Sequence, residues 1–152
     1  MDIVDSVTRS RMMAGIKGKN TKPEMKLRSL LHAAGYRFRL HRKDLPGSPD
    51  IVLPMYKAVI FVHGCFWHRH HGCKYCTMPA SNELFWENKL RANEDRDAAN
   101  QAALNSEGWR VYIVWECAVR SMDVLPMVLG WLHGCSTLDE TPLIYTVQNR
   151  SC

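Results

Sequence analysis

Residues 57–73 read KAVIFVHGCFWHRHHGC. Ala58 to Val62 are uninterruptedly apolar, as in a strand buried on both faces at the centre of a sheet. The eleven residues that follow, His63 to Cys73, hold four histidines, two cysteines and the large aromatics Phe66 and Trp67. Imidazole and thiolate are the side chains that bind zinc best, and imidazole is the commonest general base near neutral pH. The pattern predicts a site mounted on the end of a core strand.

Around this stretch the signals alternate between helix and strand. Residues 8–16 form a short basic helix capped by Thr8 or Ser6. Thr21-Lys-Pro-Glu24 is a capping box that opens a helix with Met25, Leu27, Leu30 and Leu31 as its apolar stripe, ended by Gly35. Residues 36–41 alternate like a strand, Pro46-Gly-Ser-Pro49 is a turn, and Ile51–Leu53 is a short strand opened by Asp50. A long helix fills 81–106, capped by Ser81. A strand covers 109–117, ending at Cys117, and a helix covers 123–132. Residues 134–152 are weakly patterned. From the helix opened at Thr21 onward, the order α, β, β, β, α, β, α implies an α/β fold with a mixed sheet and helices on its faces.

The chain of 152 residues is the size of one domain, and 46% of it is hydrophobic. No apolar run approaches the roughly 20 residues that span a bilayer. The first residues lack the basic-then-apolar pattern of a signal peptide, so the expected location is the cytoplasm, where thiols stay reduced. The six cysteines (65, 73, 76, 117, 135 and 152) then read as metal ligands or free thiols rather than disulfides. The formal net charge of +5 is uneven: residues 1–45 carry eleven Lys or Arg against four Asp or Glu, and the rest carries nine against eleven. Such asymmetry suggests an arm that binds a polyanion, with a solvated basic helix face as the alternative.

Several constellations carry chemistry. Cys65, His70, Cys73 and Cys117 make a closed zinc set of the structural kind, with His71 and Cys76 as spare ligands. The competing reading makes Cys65 and Cys117 small buried core residues. With His70 on metal, His63 and His68 remain as free imidazoles on a rigid loop, suited to acid–base work or merely exposed. Asp50 at the mouth of a strand suits Mg²⁺, although a turn before the strand explains it better, since no acid-x-Lys triplet follows on the next strand. Glu24 is accounted for by the helix dipole alone. Phe66 with Trp67, and Phe85 with Trp86, are placed to stack on bases, or in the second pair to form a helix packing face.

Taken in order, Thr8-Arg-Ser10, Thr21-Lys-Pro-Glu24, LPGSPD at 45–50, VIFVHGCFWH at 59–68, ELFW at 83–86, Asn93 to Asp97, GWRV at 108–111 and VWEC at 114–117 resemble the very short patch repair (Vsr) DNA mismatch endonucleases of bacteria. The resemblance covers about residues 5–133. It implies a restriction-endonuclease-like fold with a structural zinc site, and a division into a basic DNA-binding arm (1–20), an endonuclease domain (21–134) and a C-terminal tail (135–152). It implies Mg²⁺-dependent nicking of duplex DNA 5′ of the thymine in a T·G mismatch, the lesion left when 5-methylcytosine deaminates. Asp50 would bind Mg²⁺ together with the backbone carbonyl of Val62. His68 would be the general base, assisted by His63 and Glu24. Zn²⁺ would sit on Cys65, His70, Cys73 and Cys117, with His71 as an alternative to His70. Phe66, Trp67 and Trp86 would wedge beside the mismatch, and Met13 would enter from the opposite groove. The implied partners are T·G duplex DNA and mismatch-repair proteins such as MutL, with the protein a monomer free of the membrane. The alternatives are a non-catalytic zinc DNA-binding module and a related restriction-type endonuclease. Cys76, Cys135 and Cys152 receive no role.

Overall fold

The computed structural model describes residues 5–15, 18–121 and 123–134, and the backbone of 145–148. The elements run α1 (Ser6–Ala14), α2 (Lys22–Ala33), β1 (Arg39–Leu40), β2 (Ile51–Leu53), β3 (Ala58–His63), α3 (Glu83–Ser106), β4 (Arg110–Trp115), α4 (Glu116–Ser121), α5 (Leu125–Leu132) and β5 (Tyr145–Gln148). The strands form one mixed sheet in the order β1-β2-β3-β4-β5. Among the described residues only β3 and β4 pair in parallel.

The central strands are apolar on both faces because both faces are covered. Ile51, Leu53, Ile60, Tyr112 and Val114 pack with Leu27 and Leu31 of α2, Val119 of α4 and Val128 and Trp131 of α5. Val52, Val59, Phe61, Val111 and Ile113, alternating with them, pack with Leu104 of α3, Trp109, Trp115 and Cys65 on the other face. This is the period of two with neither phase left to water.

Register explains how distant residues meet. In the antiparallel β2–β3 pair, Ile51 faces Ile60, so the start of β2 lies beside the end of β3. In the parallel β3–β4 pair, His63 faces Trp115, so both strands end on the same edge. Asp50, His63 and the residues just past β4 therefore gather at one edge of the sheet.

Several expectations are adjusted. The cap of α1 is Asp5, whose carboxylate accepts from the Thr8 amide at 2.8 Å and from the Thr8 hydroxyl at 2.9 Å. The strand over 36–41 shrinks to Arg39–Leu40, because it pairs with a β2 of only three residues. α3 starts after Asn82 rather than Ser81. β4 ends at Trp115 and α4 begins at once, so Cys117 lies in the first turn of a helix. Part of the stretch read as a tail, Tyr145–Gln148, pairs antiparallel with β4. The rest of 135–152, with Cys135 and Cys152, lies outside the described residues.

Candidate active site and metal centre

A groove of about 530 Å³ opens at this edge, lined among others by His41, Asp50, Val62, His63, His68 and Asp97. A second hollow shares Asp50, Val62 and His68 with it and adds Met13, Trp67 and Lys89.

Asp50 Oδ2 accepts from the Val62 amide at 2.8 Å, which anchors the carboxylate to the last turn of the β2–β3 ladder. Burial, reinforced by the nearby charge of Glu24, pushes the Asp50 carboxyl up to about 7, against the opposing pull of the Val62 amide and of His68 and Arg28. A carboxylate held this way is relieved by a cation. Glu24 is 2% exposed. It completes the capping box of α2 and pairs with Arg28 one turn on. Its Oε1 also lies 2.8 Å from His41 Nε2, and His41 Nδ1 lies 3.7 Å from Asp50 Oδ1.

His68 Nδ1 is 2.6 Å from Asp97 Oδ2. A carboxylate at Nδ1 holds the proton there and leaves Nε2 with a lone pair, the form in which imidazole accepts a proton. The His68 ring stacks on His63 at 3.7 Å between centroids and 7° between planes. His63 is buried, and burial together with the charge of His68 holds its basicity well below the usual imidazole range. His63 is thus the ring of the stacked pair that burial keeps neutral.

Behind His63 lies the second cluster. Trp115 meets His63 edge-on and stacks flat on His70 at 4.1 Å. His70, Cys65, Cys73 and Cys117 each offer one ligand atom, all within 4.8 Å of one another. His70 Nδ1 lies 3.5 Å from Cys117 Sγ. Tight backbone turns shape the loop: the His70 amide donates to the Cys65 carbonyl at 2.8 Å, and the Cys73 amide to the His70 carbonyl at 3.2 Å. Burial and the crowding of neighbouring thiols push the Cys65 and Cys117 thiols up. His71, the alternative to His70, is exposed and reaches Glu94 at 2.7 Å. Cys76 stands outside the set.

The aromatics form one patch. Phe66 contacts Trp67 and Trp86 at 5.1 and 5.5 Å, and Lys89 Nζ lies 5.6 Å from both tryptophan rings. Trp86 is buried behind Phe66 and Trp67, while Phe85, beside it, is exposed. Asn93 Nδ2 donates to the Trp67 carbonyl at 2.9 Å and pins the loop to α3.

All the predicted site residues thus meet at one edge, with Met13 at the rim of the second hollow. Sequence reasoning missed three: Arg28, His41 and Asp97. For Asp97 a signal exists. Trp86, Leu90, Asn93, Asp97, Gln101 and Leu104 fall at successive spacings of three or four, so Asp97 is a carboxylate in the buried stripe of a long helix. His41 and Arg28 carry no such mark.

The family model described as DNA mismatch endonuclease Vsr matches residues 1–74. The type II nicking enzyme V.XorIIP of Xanthomonas oryzae pv. oryzae is 53% identical over 117 residues, spanning 77% of this chain and 85% of that protein. The DNA mismatch endonuclease Vsr of Escherichia coli is 45% identical over 124 residues, 82% of this chain and 79% of that one. The type II nicking enzyme V.NmeAIP of Neisseria meningitidis is 42% identical over 123 residues, 81% and 87%. The chain belongs to the Vsr family of DNA mismatch endonucleases. It is accordingly a nuclease, a hydrolase of the phosphodiester bond.

Proposed function

We propose that this protein nicks one strand of duplex DNA on the 5′ side of the thymine in a T·G mismatch, with Mg²⁺ in the groove and Zn²⁺ in the cysteine cluster. The observation that carries the proposal is a single groove holding Asp50 and a His68 whose Nδ1 is tied to Asp97, adjoining a hollow lined by Met13, Trp67 and Lys89. Catalytic groups and a base-probing surface are side by side.

The donor sets fit the two ions. Asp50 offers hard oxygen at a part-buried position that leaves room for the waters Mg²⁺ keeps, with the Val62 carbonyl as second ligand. Three thiols and one imidazole suit Zn²⁺ in a closed tetrahedron. Bound Mg²⁺ would supply charge stabilisation for the phosphate and for the leaving 3′ oxygen.

The protein's own residues supply the rest. His68 Nε2 takes a proton from the water that attacks phosphorus in line, while Asp97 holds the ring in place and stabilises the imidazolium that forms. His63 packs flat against that ring and fixes its angle; Glu24 supports the Asp50 side of the groove. The phosphorus–O3′ bond breaks, leaving a 5′-phosphate and a 3′-hydroxyl. Phe66 and Trp67 enter the base stack from one side, backed by Trp86, and Met13 enters from the other. Unstacking costs a few kcal/mol and less at a weakened pair, so the wedge favours mismatches.

The reading extends to a restriction-endonuclease-like fold, a cytoplasmic monomer and contact with mismatch-repair proteins such as MutL. Among the described residues no helix is long and apolar enough to cross a membrane. The test is nicking of T·G duplex against matched T·A duplex with Mg²⁺. A single-strand nick confined to the T·G substrate and lost in Asp50→Ala is expected. Cleavage of both strands of matched DNA, or full activity in Asp50→Ala, would overturn the proposal.

A further inference from the structure

Glu24, His41 and Asp50 form a third cluster, each offering one ligand atom within 4.8 Å of the others. The His41 ring lies between the two carboxylates, one nitrogen toward each. At 2.8 Å, Nε2 is within hydrogen-bond distance of Glu24 Oε1. At 3.7 Å, Nδ1 is too far from Asp50 Oδ1 for a hydrogen bond. That gap matches two ligands on one ion, since ligand bonds of about 2.1 Å set neighbouring donors about 3 to 4 Å apart.

We infer that His41 is a nitrogen ligand of the divalent cation held by Asp50, and that this site prefers Mn²⁺ to Mg²⁺. The inference rests on the proposal that Asp50 holds a cation. Donation of the Nε2 proton to Glu24 leaves the Nδ1 lone pair facing Asp50. A carboxylate behind a ligating imidazole in this way sets the tautomer and raises ligand basicity. Arg28 Nη2, which can only donate, pairs with the same Glu24 oxygen and lies 2.8 Å from the same Nε2; cation binding at Nδ1 requires the Nε2 proton to go to Glu24 and Arg28 to turn wholly to that carboxylate. The opposite arrangement, with Arg28 donating to Nε2 and a proton on Nδ1, would make His41 a mere spacer.

The backbone adds an independent observation. His41 has φ +47°, a left-handed conformation costly for a residue with a Cβ. It follows β1 directly, and its amide meets the Asp50 carbonyl at 3.5 Å. Strain of this kind persists where the surroundings enforce a particular side-chain position. Here that position is beside Asp50. Imidazole is a good donor for transition ions, whereas Mg²⁺ favours oxygen and keeps its waters.

The experiment is Mn²⁺ binding to the full-length protein, followed by electron paramagnetic resonance with electron-spin-echo detection of nitrogen coupling. His41→Asn is the variant, because Asn tolerates left-handed backbone; His41→Gly is the second, with circular dichroism as the folding control. Expected are a directly bound imidazole nitrogen in the wild type and its loss in both variants. Mn²⁺ affinity should fall about tenfold or more, while Mg²⁺ affinity changes by less than about threefold. Mn²⁺ bound through oxygen alone, yet lost in Asp50→Ala, would overturn the role of His41 and leave the nuclease reading standing. Coupling that persists in both variants would overturn it too. Binding of neither ion would bring down both.

Discussion

Asp50 sets the acid–base behaviour of the groove. In the metal-free protein its carboxyl is pushed up to about 7, so between about pH 4 and 7 the folded state holds a proton that the unfolded chain has lost. Stability from this group is therefore lost as pH rises through that window. Metal-free Asp50→Asn is expected to gain stability over wild type as pH rises from about 5 to about 8, by roughly 2 to 3 kcal/mol. Denaturant melts at each pH check this, and a gain that does not vary with pH would refute it. At His68 the expected outcome is kinetic: His68→Ala slows nicking by about 10²- to 10⁴-fold, the usual range for a positioned general base. Asp97→Asn should lower kcat by less and leave KM for T·G duplex near its wild-type value, because Asp97 touches the imidazole rather than DNA. Single-turnover rates separate the two. Of these residues His68 was legible as a spare imidazole beside cysteine ligands. Asp97 was legible only as a carboxylate in the inward stripe of a long helix; its pairing with His68 was not, because the partner lies 29 positions away and the two meet only when α3 folds over the loop.

At the scale of elements, α2 and α3 do different work. α2 is held at its start by the reciprocal Thr21–Glu24 box, visible in four letters of sequence because it is local. The same Glu24 lines the second hollow, so its charge serves the cap and the groove together. Thr21→Ala is expected to cost about 1 kcal/mol in a denaturant melt. α3 packs Trp86, Leu90 and Leu104 into the protein and turns Asn93 and Asp97 of the same stripe toward the loop, at Trp67 and His68. The apolar character of β3 and β4 was legible because a strand covered on both faces admits only apolar residues. The end of β4 was not: Trp115-Glu-Cys117 reads as strand by composition, and the chain turns helical there because α4 packs Ala118 and Val119 into the core on α2 and α5.

For the molecule as a whole, two terms act over distance. The basic excess lies in the first 45 residues, where α1 presents an almost wholly exposed surface and Met13 borders the second hollow. Removal of residues 1–20 should weaken duplex binding and flatten its dependence on salt, since every phosphate that is no longer neutralised reduces the slope by about 0.9. Binding isotherms at several salt concentrations read this directly. The cysteine cluster ties the loop after β3 to the first turn of α4. With Zn²⁺ in this cluster as proposed, its chelation, or Cys117→Ser, is expected to lower the melting temperature and to cost nicking as well, because Trp115 stacks on His70 and also abuts His63. Unchanged melting after complete zinc removal would contradict that link.

The sequence by itself determined an α/β class of fold, the apolar central strands, the capped start of α2 and the cluster of histidine and cysteine donors after β3. These follow from periodicity, capping and donor chemistry, all of which act over a few positions. The tertiary structure alone decided which residue partners which. It drew His70 rather than His71 in among the cysteines, set Asp97 behind His68, buried Trp86 behind Phe66 and Trp67, and placed His41 between Glu24 and Asp50. Those choices depend on strand register, on how a long helix lies over a loop, and on one left-handed residue after β1. No local pattern encodes them, because each joins segments that only the packed core brings together.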